Sequence, residues 1–236
     1  MKPEFALSLS AEGIVLLHRA AGGWRNVGTV SLDSADLTAD LAALKAKGDA
    51  LAPEGLCKLI IPNEQIRYLT IETGISDLES RRRLARAALE GATPYAVSDL
   101  AFDLSEDGDQ THIAAVAYET LAEAESFALE NGFAPASFVA IPGDSGFLGE
   151  PFFGAVPSLG ETEITPDGIV VVDIGPAAIP DPTPAEPVEK PAPQNDAPKA
   201  AKDQVAAEPT LPKAPAALDP DSAQPDLDED ADSDAE

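Results

Sequence analysis

Apolar and polar side chains first alternate with a period of two and later recur every three to four residues. The places where the period changes mark out the elements. In EFALSLS, residues 4–10, Phe5, Leu7 and Leu9 alternate with Ala6, Ser8 and Ser10, the pattern of a half-buried strand. GIVLLHR (13–19) and WRNVGTVSL (24–32) predict two further strands, with AAGG at 20–23 as the hairpin turn between them. Leu37, Leu41 and Leu44 then fall at helical spacing, with Asp33 or Ser34 to cap the start and Gly48 to end the helix. CKLIIP (57–62) predicts a short buried strand closed by Pro62, and IRYLTIE (66–72) alternates again.

In the next stretch Ser76 and Glu79 form a capping box ahead of Leu78, Leu84, Ala85, Ala88 and Leu89, and Gly91 and Pro94 stop that helix. LAFDLSED and THIAAVAY (100–107 and 111–118) predict a hairpin around Gly108. Thr120 and Glu123 offer another capping box, Leu121, Ala124, Phe127 and Ala128 line one face of a third helix, and Gly132 closes it. SFVAIP (137–142) is the last strand of the series. The order is βββαβ followed by βαββαβ, a mixed α/β arrangement without internal repeats. Residues 143–156 are rich in glycine but carry Phe147, Leu148, Phe152 and Phe153, so this arm is expected to dock on the domain. Further on, DGIVVVDIGP predicts a strand over Ile169–Val172 that runs into Asp173-Ile174-Gly175. Whether residues 157–180 as a whole are ordered stays open at this level.

Composition divides the chain. Residues 181–236 hold 15 acidic residues, 4 lysines, 11 prolines and no aromatic residue, too little apolar surface to offset chain entropy, and are expected to be disordered. Within them 181–215 has the composition of an extended spacer, and 219–236 is almost wholly acidic or small. The expected division is a domain over 1–142, a partly docked arm over 143–180 and an acidic tail over 181–236. The net charge is −27, and residues 1–180, with 27 acidic and 11 basic residues, still carry −16. Such a surface repels phosphate backbones, so direct nucleic-acid binding is not expected, and the charge suits a basic protein partner or solubility alone. The longest apolar runs, such as Ile14–Leu17, are too short to span a bilayer. The start has no apolar signal-peptide region. Together these features predict a cytoplasmic location.

The chemistry-bearing residues are sparse. Cys57 is the single cysteine and opens a strand, which suits a small core residue better than a nucleophile. His18 and His112 are the two histidines, each in or beside a strand with no second ligand at metal spacing, and both are expected at the surface. Asp99 and Asp103 lie four apart at a strand entrance, where a solvated edge or a turn cap is the expected role. No Gly-x-Ser-x-Gly or Ser/His/Asp arrangement is present. No catalytic activity, metal or cofactor is expected. The basic residues gather at one place, ESRRRLARAALE, where Arg81, Arg82, Arg83 and Arg86 lie within six positions. Pairing at i,i+4 (Asp77–Arg81, Glu79–Arg83, Arg86–Glu90) accounts for them as a solvated helix face. A partner-docking patch, or a landing site for the acidic tail, is the functional alternative. Trp24, the lone tryptophan, is either a core lid, the preferred reading, or an interface anchor.

The middle of the chain carries a more specific pattern. LARAALEGATPYAVSDLAFDL joins a helix to Pro94-Tyr95, then Asp99, then a strand holding Asp103, and IAAVAYETLAEAESFALENGFAPASFVAIP runs strand, helix, Gly-Phe-x-Pro, strand. Over roughly residues 4–142 this resembles the actin-like, ribonuclease-H-like cytoplasmic proteins of type IV pilus assembly and type II secretion. The resemblance implies a degenerate actin-like ATPase half-domain with a mixed sheet, acting as a scaffold or adaptor for protein partners of an envelope assembly system. Active members of the superfamily carry Asp-x-Gly on the first strand. The matching positions here are Ser8 and Ser10, which supply no carboxylate. The second phosphate motif would be Asp173-Ile174-Gly175, but prolines follow where a whole second half should hold the adenine. A residual nucleotide-binding protein is therefore a lesser alternative. The chain also resembles uncharacterised alphaproteobacterial proteins labelled translation initiation factor 2. That resemblance implies a translation-associated factor, yet no G-x-x-x-x-G-K-[S/T] loop is present to hold a nucleotide.

Overall fold

The computed structural model describes residues 1–74, 77–160, 162–167 and 170–180. The expected tail, 181–236, lies outside the described residues, as do Ser76 and Ile169. Ten strands and three α-helices are formed among the described residues: β1 Phe5–Ser10, β2 Gly13–Ala20, β3 Gly23–Val30, α1 Leu37–Leu51, β4 Leu56–Ile60, β5 Arg67–Glu72, α2 Leu78–Leu89, β6 Leu100–Asp107, β7 Gln110–Ala117, α3 Tyr118–Glu130, β8 Ala134–Val139, β9 Phe152–Ala155 and β10 Asp173–Pro176. The expected βββαβ and βαββαβ order is present. The strands divide into two sheets, one of seven in the order β10-β3-β2-β1-β4-β8-β9 and one of three in the order β5-β7-β6.

The division explains the linear order. β2 runs antiparallel to β1 and β3, whereas β1, β4 and β8 are parallel neighbours. The crossover from β1 to β4 passes through α1. The crossover from β4 to β8 contains α3, preceded by an inserted β5-α2-β6-β7 unit with a sheet of its own. Phe5 and Leu7 of β1, Ile14 and Leu16 of β2 and Leu59 of β4 turn to one face, where they meet Leu41 and Leu44 of α1 and Leu121, Ala124 and Ala128 of α3. Each such fully buried large apolar side chain contributes about 1.5–3 kcal/mol.

β7 is the central strand of the small sheet, and its two faces have different partners. Ile113, Ala115 and Ala117 pack with Ala85 and Leu89 of α2. Ala114 and Val116 belong to the main core. The inserted sheet is therefore covered by its own helix on one side and by the domain core on the other.

Several local expectations are corrected. The cap of α1 is Asp36, whose carboxylate accepts from the Ala39 amide at 3.0 Å, in place of Asp33 or Ser34. Gly48 lies inside the helix, which runs on to Leu51; Gly48 is buried, and a Cβ there would come within 3.0 Å of the Leu16 side chain. Asp77 caps α2 by accepting from the Ser80 amide at 3.0 Å. α3 starts at Tyr118 and has no side-chain cap, so Thr120 and Glu123 sit within its first turns and do not form a capping box. Of the strand expected over Ile169–Val172, Ile169 lies outside the described residues and 170–172 are not in a strand; the strand described here is Asp173–Pro176.

The arm is built into the domain. Phe147, Phe153 and Val156 enter the main core, and β9 pairs antiparallel with β8. The Phe152 amide donates to Asp103 and the Leu148 amide to Ser105, both at 2.9 Å, which ties the arm to β6. Glu125 of α3, buried, accepts from the Ser158 amide at 2.9 Å. Beyond β10, Ala177 and Ile179 pack at the margin of the core.

Candidate functional site

The two halves of the expected phosphate motif are not brought together. Ser8 and Ser10 lie on β1, and Ser10 Oγ donates to the Gly13 carbonyl at 3.0 Å, closing the turn into β2. Asp173 and Gly175 lie on β10, at the far edge of the same sheet, with β3 and β2 between. Three strand spacings alone put about 14 Å of sheet between the two strands, and the register offsets the motifs along them as well, Ser8 lying level with Thr29 of β3 and Asp173 level with Trp24. The Asp173 carboxylate accepts from the Gly175 amide at 2.8 Å, which closes a local turn. Asp-Ile-Gly here is the outer edge of a sheet, held beside β3 by the Trp24 amide donating to the Val172 carbonyl at 2.8 Å. Gly23 permits that approach: a Cβ there would lie 2.9 Å from the Val172 carbonyl oxygen.

On the sheet face opposite α1 and α3 lies a charge cluster that sequence reasoning missed. Lys58 of β4 is buried, and its ammonium donates to Glu150 at 2.6 Å and to Asp167 at 3.1 Å. Asp167 also accepts from Arg19 at 2.6 Å, and Lys2 stands 3.6 Å from its other oxygen. Trp24 is buried beneath both cations, with the Arg19 guanidinium 4.4 Å and the Lys58 ammonium 4.7 Å from its ring centre. Trp24 is therefore a core lid, and its burial removes it as an exposed anchor. Burial raises the Glu150 pKa above the usual carboxylate range, and the Lys58 hydrogen bond and charge only partly counter this. For Asp167 burial also pushes upward, but the Arg19 and Lys58 hydrogen bonds and charges prevail and hold it below that range. The cluster fastens the arm, through Glu150 and Asp167, to strands β2 and β4. Its one sequence signal was a lysine inside the apolar run CKLIIP, which cannot be buried without acidic partners.

The four arginines of α2 separate into one buried and three exposed residues. Arg81 is 3% exposed. Its guanidinium donates to the hydroxyls of Thr73 and Thr111 at 2.7 and 2.6 Å, and to the carbonyls of Gln110, Gly74 and Gly108 at 3.0, 3.0 and 2.9 Å. It binds the end of β5 and the β6–β7 turn to α2 and is removed from any docking surface. Arg82, Arg83 and Arg86 are exposed. None forms an ion pair with a described residue, and the expected Glu79–Arg83 and Arg86–Glu90 pairs are not made. Arg86 stands 5.9 Å from the centre of the Phe102 ring. Arg82 and Arg86 line a cleft of about 390 Å³ with Ser98, Phe102 and Tyr118. Tyr118, at 54%, is among the more exposed large apolar or aromatic residues of the described chain.

The remaining candidates are structural. Cys57 is buried, and burial pushes its thiol up to about 12. His112, expected at the surface, is buried beneath Gly146, with Nδ1 2.9 Å from the Thr70 hydroxyl. His18 is half-buried, its ring 5.1 Å from that of Phe5. Asp99 is exposed in a one-turn 3₁₀ helix, whereas Asp103 is half-buried and accepts from the Leu104 and Phe152 amides. Among the described residues no group of three or more His, Cys, Asp or Glu gathers to hold a metal ion. Among them also, no helix is long and apolar enough to cross a membrane.

No family model matches the chain, and neither does any curated protein. Solved structures do. One is the cytoplasmic domain of EpsL, an inner membrane component of the type II secretion system of Vibrio cholerae, at 12% identity and a TM-score of 0.43, covering 57% of this chain and 55% of that one. Another is a PilM–PilN type IV pilus biogenesis complex, at 16% identity and a TM-score of 0.44, covering 59% of this chain and 48% of that one. The chain spans about half the length of each.

Proposed function

We propose that this chain is a non-catalytic scaffold or adaptor, built on a degenerate actin-like half-domain, that holds protein partners through the exposed face of α2. The observation that carries this reading is the set of three exposed arginines, Arg82, Arg83 and Arg86, free of ion pairs with described residues and bordered by Phe102 and Tyr118, on a domain of net charge −16. Arginine and tyrosine are the side chains that anchor protein interfaces. The positions where phosphate chemistry would be expected offer Ser8 and Ser10 without a carboxylate, and Asp173 lies three strands away in the same sheet. A cytoplasmic location and partners from an envelope assembly system are the fitting setting, by analogy with the family that the sequence resembles.

The test is a pull-down from the source cells with the full-length chain beside an R82E/R83E/R86E variant, read by mass spectrometry. Envelope-assembly proteins recovered by the first and lost with the second are expected. Ribosomal proteins in their place would overturn the setting and favour a translation-associated role. A rise in melting temperature with Mg-ATP, abolished by Asp173→Ala, would overturn the non-catalytic reading in favour of a nucleotide site.

A further inference from the structure

Arg82 and Arg86 are one helical turn apart and leave α2 on the same flank. They line the cleft of about 390 Å³ beside that flank, and Arg83 lies outside it. We propose that this cleft takes a short acidic segment of a partner protein in extended conformation, of the pattern apolar-x-acidic-x-acidic in either direction. Its carboxylates pair with Arg82 and Arg86, and its apolar side chain rests on the floor beside Phe102 and Tyr118. The proposal rests on the reading of α2 as a docking surface and gives the partner a chemistry.

Two observations carry it. The first is charge. Three other clefts of the domain hold cations, and each holds a carboxylate as well: Glu64 with Arg67, Asp167 with Lys2 and Arg19, and Asp49 with Lys45. The α2 cleft has two arginines and no acidic residue in its lining. In residues 1–180, where acidic residues outnumber basic ones by 27 to 11, that is the exception. Two carboxylates stand near it, and both are engaged elsewhere. Asp103 feels the Arg82 charge, but its two oxygens accept the Leu104 and Phe152 amides. Asp99 accepts from the Ser98 hydroxyl at 3.2 Å. Neither forms an ion pair with a described residue. A guanidinium's planar fork matches a carboxylate, so an acidic segment supplies what the cleft lacks. A nucleic acid or an anionic membrane would extend past the cleft and meet the −16 of the surrounding domain, whereas a few residues confined to it would not.

The second is shape. Leu100 is buried and Phe102 half-buried, which gives the cleft an apolar floor. The Arg86 guanidinium lies 5.9 Å from the Phe102 ring centre and is held over that floor. Tyr118, exposed, stands in the lining with it. Ligand clefts run to about 300–1,000 Å³, so this one suits a few residues of extended chain. Residues two apart in such a chain lie about 7 Å from each other on one face, close to the roughly 6 Å between positions one helical turn apart. The next residue on that face, two positions further on, is the one that reaches the floor.

The experiment titrates the full chain at low salt with fluorescein-labelled, glycine-flanked Phe-Ser-Glu-Ser-Glu and its reverse, and with versions carrying glutamine for glutamate. At least one glutamate peptide is expected to bind about tenfold or more tighter than its glutamine version, with amide shifts at residues 82–86, 97–102 and 118. R82Q/R86Q is expected to remove binding at an unchanged melting temperature, and R83Q to alter it by less than about twofold. Binding should weaken at about 0.5 M salt, where screening is short-ranged. No binding by either glutamate peptide, equal binding of the glutamine versions, an equal loss in R83Q, or shifts elsewhere overturns the proposal. So does preferential binding of a short DNA duplex or of phosphatidylglycerol vesicles that R82Q/R86Q removes. If the peptides fail while R82E/R83E/R86E still loses its partners from cells, the acidic-segment inference falls and the scaffold reading stands. If the peptides bind as expected while partner recovery is unchanged, the reverse holds.

Discussion

Replacing Lys58 with methionine removes one ammonium from the interior while keeping most of the volume of its stem. Asp167 would keep Arg19 at 2.6 Å, but Glu150 would lose the one cation among the described residues that donates to it, at 2.6 Å, while its own side chain is 2% exposed. Leaving one member of a buried pair uncompensated costs about 3–5 kcal/mol. The lower end is expected here, because Glu150 can escape by taking up a proton: burial already raises its pKa, and loss of Lys58 raises it further. An acid whose folded pKa is raised destabilises the fold in full above that pKa, and the penalty shrinks as pH falls from there towards the unfolded pKa, below which it is gone. The K58M penalty is therefore larger at about pH 8 than at about pH 5.5. Asp167, held below the usual range, contributes stability that is lost only at more acidic pH, and it does not confound the comparison. Urea unfolding at the two pH values measures the difference, and a loss of about 3 kcal/mol corresponds to a fall in Tm of about 6–12 °C for a domain of this size. Adding Glu150→Gln to K58M should recover part of the loss at the higher pH, giving the coupling directly. A K58M penalty below about 1 kcal/mol, the range of exposed ion pairs, or one that is the same at both pH values, would refute the account of a desolvated pair.

Four further outcomes are expected. Arg81→Met should destabilise by about 3 kcal/mol or more by leaving buried carbonyls without donors, whereas Arg82→Met should stay within about 0.5 kcal/mol; denaturant unfolding of the two variants separates the roles. Cys57, with its thiol pushed up to about 12 by burial, should resist a disulfide reagent at neutral pH in the folded chain and react at once in denaturant. Asp77→Ala should lower the melting temperature and reduce its dependence on acid. The Ser80 amide and hydroxyl hold Asp77 below the usual range, so its contribution is present above the unfolded pKa and lost as pH falls through the folded one. Gly23→Val should strip β10 from β3, because a Cβ at that position meets Val172 and Ile174; faster amide exchange over residues 172–177, with β1 and β4 unchanged, is the reading.

The succession of elements and the apolar face of each are legible in the linear order of residues. Period-two alternation in β1, β5 and β6 and the helical spacing of Leu41 and Leu44, or of Ala85 and Leu89, are local consequences of backbone geometry, and each segment carries them whatever its neighbours do. The absence of a carboxylate at Ser8 and Ser10 was equally legible. Tertiary structure alone decided how these elements meet: that β5, α2, β6 and β7 leave the main sheet for one of their own, that Asp173-Ile174-Gly175 lies three strands from Ser8, and that Lys58 finds Glu150 and Asp167 from 92 and 109 residues away. It also divided four consecutive-looking arginines into one hydrogen-bonded anchor, Arg81, and three exposed cations. The physical reason is that burial and charge pairing depend on distances in space, and a chain of mixed pairings can bring together residues that no local period relates.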